Sequence, residues 1–341
     1  MLSWRGEDRI ADFDLADLVG LDDARLALEV AAAGGHHLML QGPKGAGKTS
    51  LAERLPGLLP DLDPAEALEL TAVHALAHGS VGAPLRSGLI TRPPFVAPHH
   101  DARRASVIGG GTGHVRPGAI SLAHCGIVML DEFPLFARDI IEALRQPLES
   151  GEVTIARGDE VATFPARTMF VLACNTCACG QYGASVAEDR CECSNQVRQE
   201  YRRRLSGPVV DRIDIVRHVA VERGAGFPGE FEDSATVRER VTAARRRQQH
   251  RYAAEQWRLN AHAPGARLRS EWPLTPDLMA MIEMGVASGR LTRRGAVRVH
   301  RLAWTLADLS DRARPIELDV RTALALRAGE PLESQMLRRA G

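Results

Sequence analysis

One octet constrains this chain more than any other stretch: Gly42-Pro43-Lys44-Gly45-Ala46-Gly47-Lys48-Thr49. It satisfies the spacing G-x-x-x-x-G-K-[ST]. It lies directly after the apolar run His37-Leu38-Met39-Leu40 and before a helical pattern from Thr49 to about Leu55. Strand, glycine loop and helix in that order form a cradle for a phosphate chain. The glycines let backbone N–H groups turn inward around phosphate oxygens, and the helix N-terminus adds a favourable field. Lys48 reaches the β- and γ-phosphates as a compact point charge, and Thr49 offers a hydroxyl to Mg²⁺. The expected nucleotide-binding set is Gly42, Pro43, Lys44, Gly45, Ala46, Gly47, Lys48, Thr49 and Ser50. The alternative, a glycine turn that binds nothing, fits poorly with the flanking strand and helix. Lys44 and Lys48 are the only lysines in the chain. Arginine replaces lysine wherever chemistry permits, and at Lys48 its planar fork cannot stand in for an ammonium.

A second apolar run, Gly126-Ile127-Val128-Met129-Leu130, ends in Asp131-Glu132, and a third, Thr168 to Cys174, ends at Asn175. Continuous apolar strands separated by helices indicate a parallel sheet covered on both faces. Ligands of such sheets sit at the carboxyl ends of the strands. Asp131 is therefore the candidate Mg²⁺ holder, and Glu132 the candidate base that orients and deprotonates water. A solvated strand terminus is the alternative. Glu152–Ala156 and Val161–Phe164 flank Arg157-Gly158-Asp159-Glu160 and read as a β-hairpin. Helical patterns run over 22–33, closed by Gly34-Gly35, and beyond 220 at roughly 234–258, 275–288, 294–309 and 317–327. The expected organisation is an α/β nucleotide-binding domain over 1–220, with a hairpin insert at 151–166 and a cysteine loop at 176–194. A linker and helix follow over 221–265, then a helical domain over 266–341.

Lys plus Arg and Asp plus Glu are both 43, so no global basic field advertises a polyanionic partner. Nucleic-acid binding would have to come from local patches. Met1 to Arg9 carries charges where a signal peptide needs an apolar run, and no apolar stretch approaches the roughly 20 residues that cross a bilayer. The sequence reads as that of a soluble, cytoplasmic protein with no membrane partner. Cys125 and Cys174 lie in apolar runs, whereas Cys177, Cys179, Cys191 and Cys193 form two C-x-C pairs separated by eleven residues. Clustered thiols in a cytosolic chain point to metal before disulfide, here a closed structural Zn²⁺ site. Free thiols in a surface loop are the alternative, and His124 is a poor substitute ligand. The His99-His100 pair reads as structural.

Further motifs carry a family resemblance. They include Asp12-Phe13 with Gly20, Ala31-Ala32-Ala33-Gly34-Gly35-His36, Arg92-Pro93-Pro94-Phe95 with Ala97-Pro98-His99-His100, and Gly109-Gly110-Gly111. Arg116-Pro117-Gly118, Ile120-Ser121-Leu122-Ala123-His124, Leu144-Arg145-Gln146-Pro147-Leu148-Glu149, and Leu205-Ser206-Gly207-Pro208 with Asp211-Arg212-Ile213-Asp214 extend the set. Together they resemble the ComM (YifB) proteins, AAA+ ATPases related to the magnesium-chelatase ATPase subunit, from about residue 12 to the C-terminus. The family carries an N-terminal Lon-protease-like domain, to which nothing in these residues corresponds. The resemblance implies an AAA+ P-loop domain with a C-terminal helical lid, ATP and Mg²⁺ as cofactors, and a homo-oligomeric, hexameric ring. It makes Asn175 the sensor-1 residue, which orients water, and Arg212 the arginine finger that acts on ATP held by a neighbouring subunit. Arg212 paired with Asp211 or Asp214 is the alternative. Arg294 matches the lid arginine called sensor 2, with Arg293 as the competing choice. Similar paired cysteines recur at this place in the family, which supports zinc.

Arg103-Arg104 with His114 and Arg116, Arg157 at the hairpin tip, Arg202-Arg203-Arg204 and Arg245-Arg246-Arg247 are local positive clusters. The resemblance places 151–166 and about 103–116 at the pore of a ring, which makes Arg103, Arg104 and Arg157 candidate contacts to branched or single-stranded DNA. A solvated charged face is the alternative, and it is preferred for Arg245 to Arg247. Aromatic residues are 4% of the chain, so stacking platforms are scarce and contacts would be electrostatic and salt-sensitive. The implied function is an ATP-hydrolysing DNA helicase or translocase acting in branch migration during recombination and natural transformation. A chelatase-type ATPase that remodels a protein partner is the rival, and a nucleotide-gated regulator with negligible hydrolysis is a third reading.

Overall fold

The computed structural model describes residues 13–18, 20–77, 88–111, 114–157, 160–182, 191–205, 207, 209–220 and 231–337. The chain is α/β: five strands form a parallel sheet flanked by helices, and the C-terminal region is helical. The strands are β1 (Leu38–Gln41), β2 (Phe95–Val96), β3 (Gly109–Gly110), β4 (Arg116–Pro117), β5 (Ile127–Leu130), β6 (Glu152–Arg157), β7 (Glu160–Pro165), β8 (Met169–Cys174) and β9 (Ile215–His218). Two compact units result. One comprises the described residues of Met1–Leu59, Asn175–Ser194 and Ile213–Gly341, the other those of Pro60–Cys174 and Asn195–Arg212.

In the first unit β1 and β9 pair in parallel, Leu38 opposite Ile215 through Gln41 opposite His218. The helix Asp22–Gly34 packs against the helices Lys48–Leu58, Ser234–Arg251 and Arg293–Leu309. Its alanines combine high helix propensity with small size, so it is buried almost all round. Asp22 and Asp23 stand at its positive end, and Gly35 closes it in the left-handed conformation. The next long helix stops earlier than its sequence pattern, at Arg251 rather than near 258. Tyr252 turns inward instead and joins buried Leu268 and Trp304, with Trp257 and Trp272 packed on them. Its ring meets Trp272 edge-on at 4.9 Å, and its hydroxyl donates to Asn260 Oδ1 at 2.7 Å. Burying that ring outweighs continuing a polar helix.

The same unit is organised around Asp214, one residue before β9 and 1% exposed. Its carboxylate accepts the His37 N–H at 2.9 Å and Arg298 Nη1 at 2.7 Å, with His36 Nδ1 at 3.8 Å. Burial alone would raise this carboxyl. Arg298 and His36 reverse that effect and hold it well below the ordinary value of 3.8. One buried charge thus ties the start of β1 and the start of β9 to the helix Arg293–Leu309. Along β9, buried Arg217 donates to the carbonyls of Ala325 at 2.9 Å and Glu330 at 2.6 Å, at the C-terminal end of the helix Glu317–Ala328.

In the second unit β2, β5 and β8 run parallel, with Ile127 opposite Met169 through Leu130 opposite Leu172, and every residue of β5 and β8 is buried. The hairpin is β6 and β7, with Glu152 opposite Pro165 and Arg157 opposite Glu160. Gly158 and Asp159 at its tip lie outside the described residues, as do Asp12, Ser206, Pro208 and most of the expected linker. No helix among the described residues is long and apolar enough to cross a membrane.

Asp214→Asn leaves Arg298 beside a neutral amide in a buried place. It is expected to lower stability in urea at neutral pH by about 3 kcal/mol. Because the folded-state pKa is lowered, this contribution is present above about pH 4 and is lost as pH falls further. The gap between wild type and variant should therefore hold from pH 7 to about 4 and close below it; a gap that widens in acid would refute the role given to this carboxylate.

Candidate nucleotide site and cysteine centre

The buried strand β1 ends where Gly42 begins the phosphate loop, and the loop folds back through Gly45 and Gly47, whose φ values of 81° and 85° are left-handed. A side chain at either position would be strained. Gly47 caps the helix Lys48–Leu58, so the backbone N–H groups of the first helical turn face the loop. Lys48 is buried. Its ammonium donates to Gly42 O at 2.9 Å, Pro43 O at 2.8 Å and Asn175 Oδ1 at 3.1 Å. A compact ammonium meets three oxygens from three directions there, which a planar guanidinium cannot do. Lys44, Gly45 and Thr49 are exposed, and Ser50 is half-buried. Lys48 and Asn175, expected from separate motifs, thus touch directly.

Asp131 and Glu132 follow buried β5. Glu132 takes a left-handed conformation, φ 51° and ψ 40°, and starts the turn Phe133–Leu135, which is anchored by buried Phe133. Its N–H donates to Asp131 Oδ1 at 2.8 Å. His100 Nδ1 lies 3.4 Å from Glu132 Oε2, and His100 Nε2 lies 3.5 Å from Asp101 Oδ1. The sequence reading left this pair as structural. Thirty-odd residues separate His100 from Glu132, and no periodicity joins them.

Arg212 does not project as an isolated finger. It is 6% exposed and ion-paired with Glu149, which follows β5 by way of the helix Arg145–Ser150. Of the two alternative partners expected from sequence, Asp214 is bound by Arg298. Glu149 had been visible only as the last residue of a motif. Arg294 is exposed in the first turn of the helix Arg293–Leu309, and Arg293 beside it ion-pairs with Glu283 at 2.7 Å.

The four clustered cysteines converge. Cys177 Sγ lies 3.3 Å from Cys179 Sγ and 3.6 Å from Cys191 Sγ, and Cys179 to Cys191 is 3.7 Å. Cys193 completes a set whose sulfurs all lie within 4.8 Å of one another. A tetrahedron with Zn–S of about 2.3 Å has S–S edges of about 3.8 Å, so the arrangement fits such an ion. The Gln181 backbone N–H, then the neighbouring thiols, push Cys179 down to about 6, while desolvation pushes Cys191 up to about 12. His99, His100 and Asp101 also bring ligand atoms within 4.8 Å, on an exposed surface. His124 is instead 3.1 Å from Glu69 Oε2, away from the thiols in sequence and in partner.

Of the basic residues, Arg103 and Arg104 are exposed at the start of the short helix Arg104–Val107, with Arg104 Nε 4.0 Å from Asp139. Arg157 is exposed and stands across the hairpin from Glu160. Arg202, Arg203 and Arg204 are exposed on the helix Asn195–Leu205. Arg245 and Arg247 are half-buried and donate to Ala32 O at 2.9 Å and Asp308 O at 3.0 Å, while Arg246 between them is exposed.

Comparison with known proteins gives two family matches: magnesium chelatase, subunit ChlI, over residues 14–225, and the ChlI C-terminal part over residues 231–327. An uncharacterised protein of Mycobacterium tuberculosis is 45% identical over 318 residues, 92% of this chain and 61% of the relative. YifB of Escherichia coli is 39% identical over 307 residues, 88% of this chain and 58% of the relative. Competence protein ComM of Haemophilus influenzae is 37% identical over 320 residues, 92% and 60% respectively. The chain spans about three fifths of the length of the curated relatives it matches.

Replacing Lys48 by Ala removes the ammonium at the centre of this loop. Mg²⁺–ATP is expected to bind about 10- to 100-fold more weakly in calorimetry, the worth of one hydrogen-bonded charge. Unaltered affinity would remove the loop from consideration as a phosphate cradle.

Proposed function

The chain belongs to the magnesium-chelatase ChlI-type family of AAA+ ATPases, with ComM and YifB among its relatives, and from that membership we propose that it is an ATP-hydrolysing ring motor acting on DNA. The observation that carries the ATPase part is the phosphate loop with buried Lys48 held against Asn175. We assign residues Gly42 to Ser50 to the nucleotide, Thr49 and Asp131 to Mg²⁺, Glu132 to the attacking water and Asn175 to its orientation. The nucleotide-binding domain would run to residue 220 and the lid from 266, with 221–265 between them. Mg²⁺, when bound, neutralises charge on the β- and γ-phosphates.

Glu132 accepts a proton from water as the water oxygen bonds to the γ-phosphorus. The bond to the bridging oxygen breaks, and that oxygen leaves with its electron pair on ADP. Lys48 stabilises the charge that develops on the phosphates. Arg212 serves the ATP of the adjoining subunit. Its planar guanidinium suits the spread charge of a transferring phosphoryl group. Arg294 reports the γ-phosphate to the lid. The ring is a hexamer, by resemblance to the family. Cys177, Cys179, Cys191 and Cys193 hold a structural Zn²⁺, a reading supported by the sulfur spacings above. Arg103, Arg104 and Arg157 contact DNA phosphates without reading sequence. On this reading the protein migrates branched DNA during recombination and natural transformation.

One observation favours a second reading, a chelatase-type motor that remodels a protein. The hairpin 151–166 carries Glu152, Asp159 and Glu160 against Arg157 alone, and Val161 near its tip is 67% exposed. That is a poorer surface for a polyanion than for a polypeptide.

Glu132→Gln should keep Mg²⁺–ATP affinity within about threefold while turnover falls by a factor of about 100 or more, the usual scale for losing a general base. Turnover retained in this variant would move the base elsewhere. Forked or single-stranded DNA should raise wild-type turnover several-fold, with a gain that falls steeply with salt and is lost in the Arg103→Ala, Arg104→Ala, Arg157→Ala triple variant. No stimulation by either DNA would support the protein-remodelling reading.

A further inference from the structure

The cysteine centre and the phosphate loop are joined by the main chain of a single turn. Asn175 and Cys177 are two residues apart, and Gly180 directly follows Cys179. At one end of the turn Asn175 Oδ1 accepts from Lys48 Nζ at 3.1 Å. At the other, the Gly180 carbonyl accepts the Lys44 backbone N–H at 3.0 Å, while the Gly180 N–H donates to Cys177 O at 3.0 Å. The phosphate loop is therefore gripped at two points by the residues that flank the first cysteine pair. Cys177 is buried, and its sulfur also receives the Tyr182 N–H at 3.4 Å.

Gly180 has φ 76°, a conformation that favours glycine, and a Cβ placed on it would stand 3.2 Å from Lys44 Cβ and 3.5 Å from Asn175 Cγ. The turn thus lies against the loop with no room for a side chain. Without an ion, no covalent bond holds the four sulfurs together within 4.8 Å. With one, the path of 177–180 is fixed by covalent geometry.

We propose that the Cys177–Gly180 turn is a positioning element of the nucleotide site. In this role, metal bound at Cys177, Cys179, Cys191 and Cys193 sets the Gly180 carbonyl and Asn175, and these set the phosphate loop and Lys48. The inference rests on the zinc and ATP readings above and adds that the two sites are energetically coupled. Gly180 and the cysteines touch neither nucleotide nor reacting atoms; they act through Lys44 and Asn175. Loss of the ion lets the turn relax, the Lys44 anchor loosens, and the loop then spends binding energy on being ordered. Linkage makes the effect reciprocal, so ATP also tightens the hold on the metal.

The test uses the full chain and three measurements: zinc per chain by elemental analysis, folding by circular dichroism, and the Kd for Mg²⁺–ATP by calorimetry. The wild type is measured as purified, after chelation, and after readdition of zinc chloride; Cys191→Ser and Gly180→Val are measured beside it. The expected result is one zinc per wild-type chain and about tenfold weaker ATP binding on its removal, restored by zinc. That factor corresponds to about 1.4 kcal/mol of coupling. Cys191→Ser should match the stripped protein and should not be rescued. Gly180→Val should retain its zinc and still bind ATP about tenfold more weakly, a split that a merely structural metal would not produce.

One zinc per chain with ATP affinity unchanged by stripping, in protein that remains folded, overturns the coupling and leaves the zinc reading intact. Negligible zinc in every sample overturns the zinc reading and the coupling with it, whereas no ATP binding in the zinc-loaded wild type overturns the nucleotide reading instead. If stripping unfolds the chain, Gly180→Val decides alone: wild-type affinity in that variant overturns the coupling.

Discussion

The charge on Asp214 is the constraint from which the geometry of the nucleotide-binding unit follows. It has left water completely, and it remains ionised because an arginine, a histidine and a backbone N–H converge on it. A buried ion held this way is a poor source of net stability and a strict source of register. The His37 N–H it accepts begins β1, whose other end becomes the phosphate loop four residues later. Arg298, which it also binds, is one helical turn beyond Arg294. An error of one residue at either strand or helix would cost this carboxylate a partner, so the strand that leads into the loop and the helix Arg293–Leu309 are indexed to one atom group.

Much of this arrangement was legible in the sequence, and the reason is local. The phosphate loop, β5, β8 and the hairpin each carry their signal within a few residues, as glycine spacing, a continuous apolar run or alternation about a turn. The long C-terminal helices are legible as helical patterns separated by Pro and Gly. The two acidic residues after β5 could be placed because sheets bind ligands at that edge. The cysteine quartet was legible from its two C-x-C pairs together with the family resemblance.

What escaped depends on partners distant in sequence. β9 contains Arg217 and His218, which look like a surface strand, yet Arg217 is buried because carbonyls at a helix end more than 100 residues later receive its protons. The helix before Tyr252 was drawn too long because helical propensity continues past the point where a tertiary aromatic cluster takes the ring. Arg212 gains a partner, Glu149, that lies 63 residues away in sequence. His100 reaches Glu132 only once the chain has folded. In each case a polar side chain is satisfied by a group whose sequence position is arbitrary.

These polar attachments also bear on how such a site can signal. A hydrogen bond to a charge is short and directional, so it ties the position of its acceptor to that of the charge. Lys48 is held by two carbonyls and by Asn175, all acceptors weaker than a phosphate oxygen. On the proposed nucleotide reading, a triphosphate in the loop would compete with these acceptors for the ammonium. Gly42 O and Pro43 O belong to the loop itself, while Asn175 begins the segment that runs on into the cysteines. The coupling proposed above therefore has a continuous main-chain route, from Asn175 through the turn Cys177 to Gly180, whose last carbonyl accepts the Lys44 N–H of the same loop.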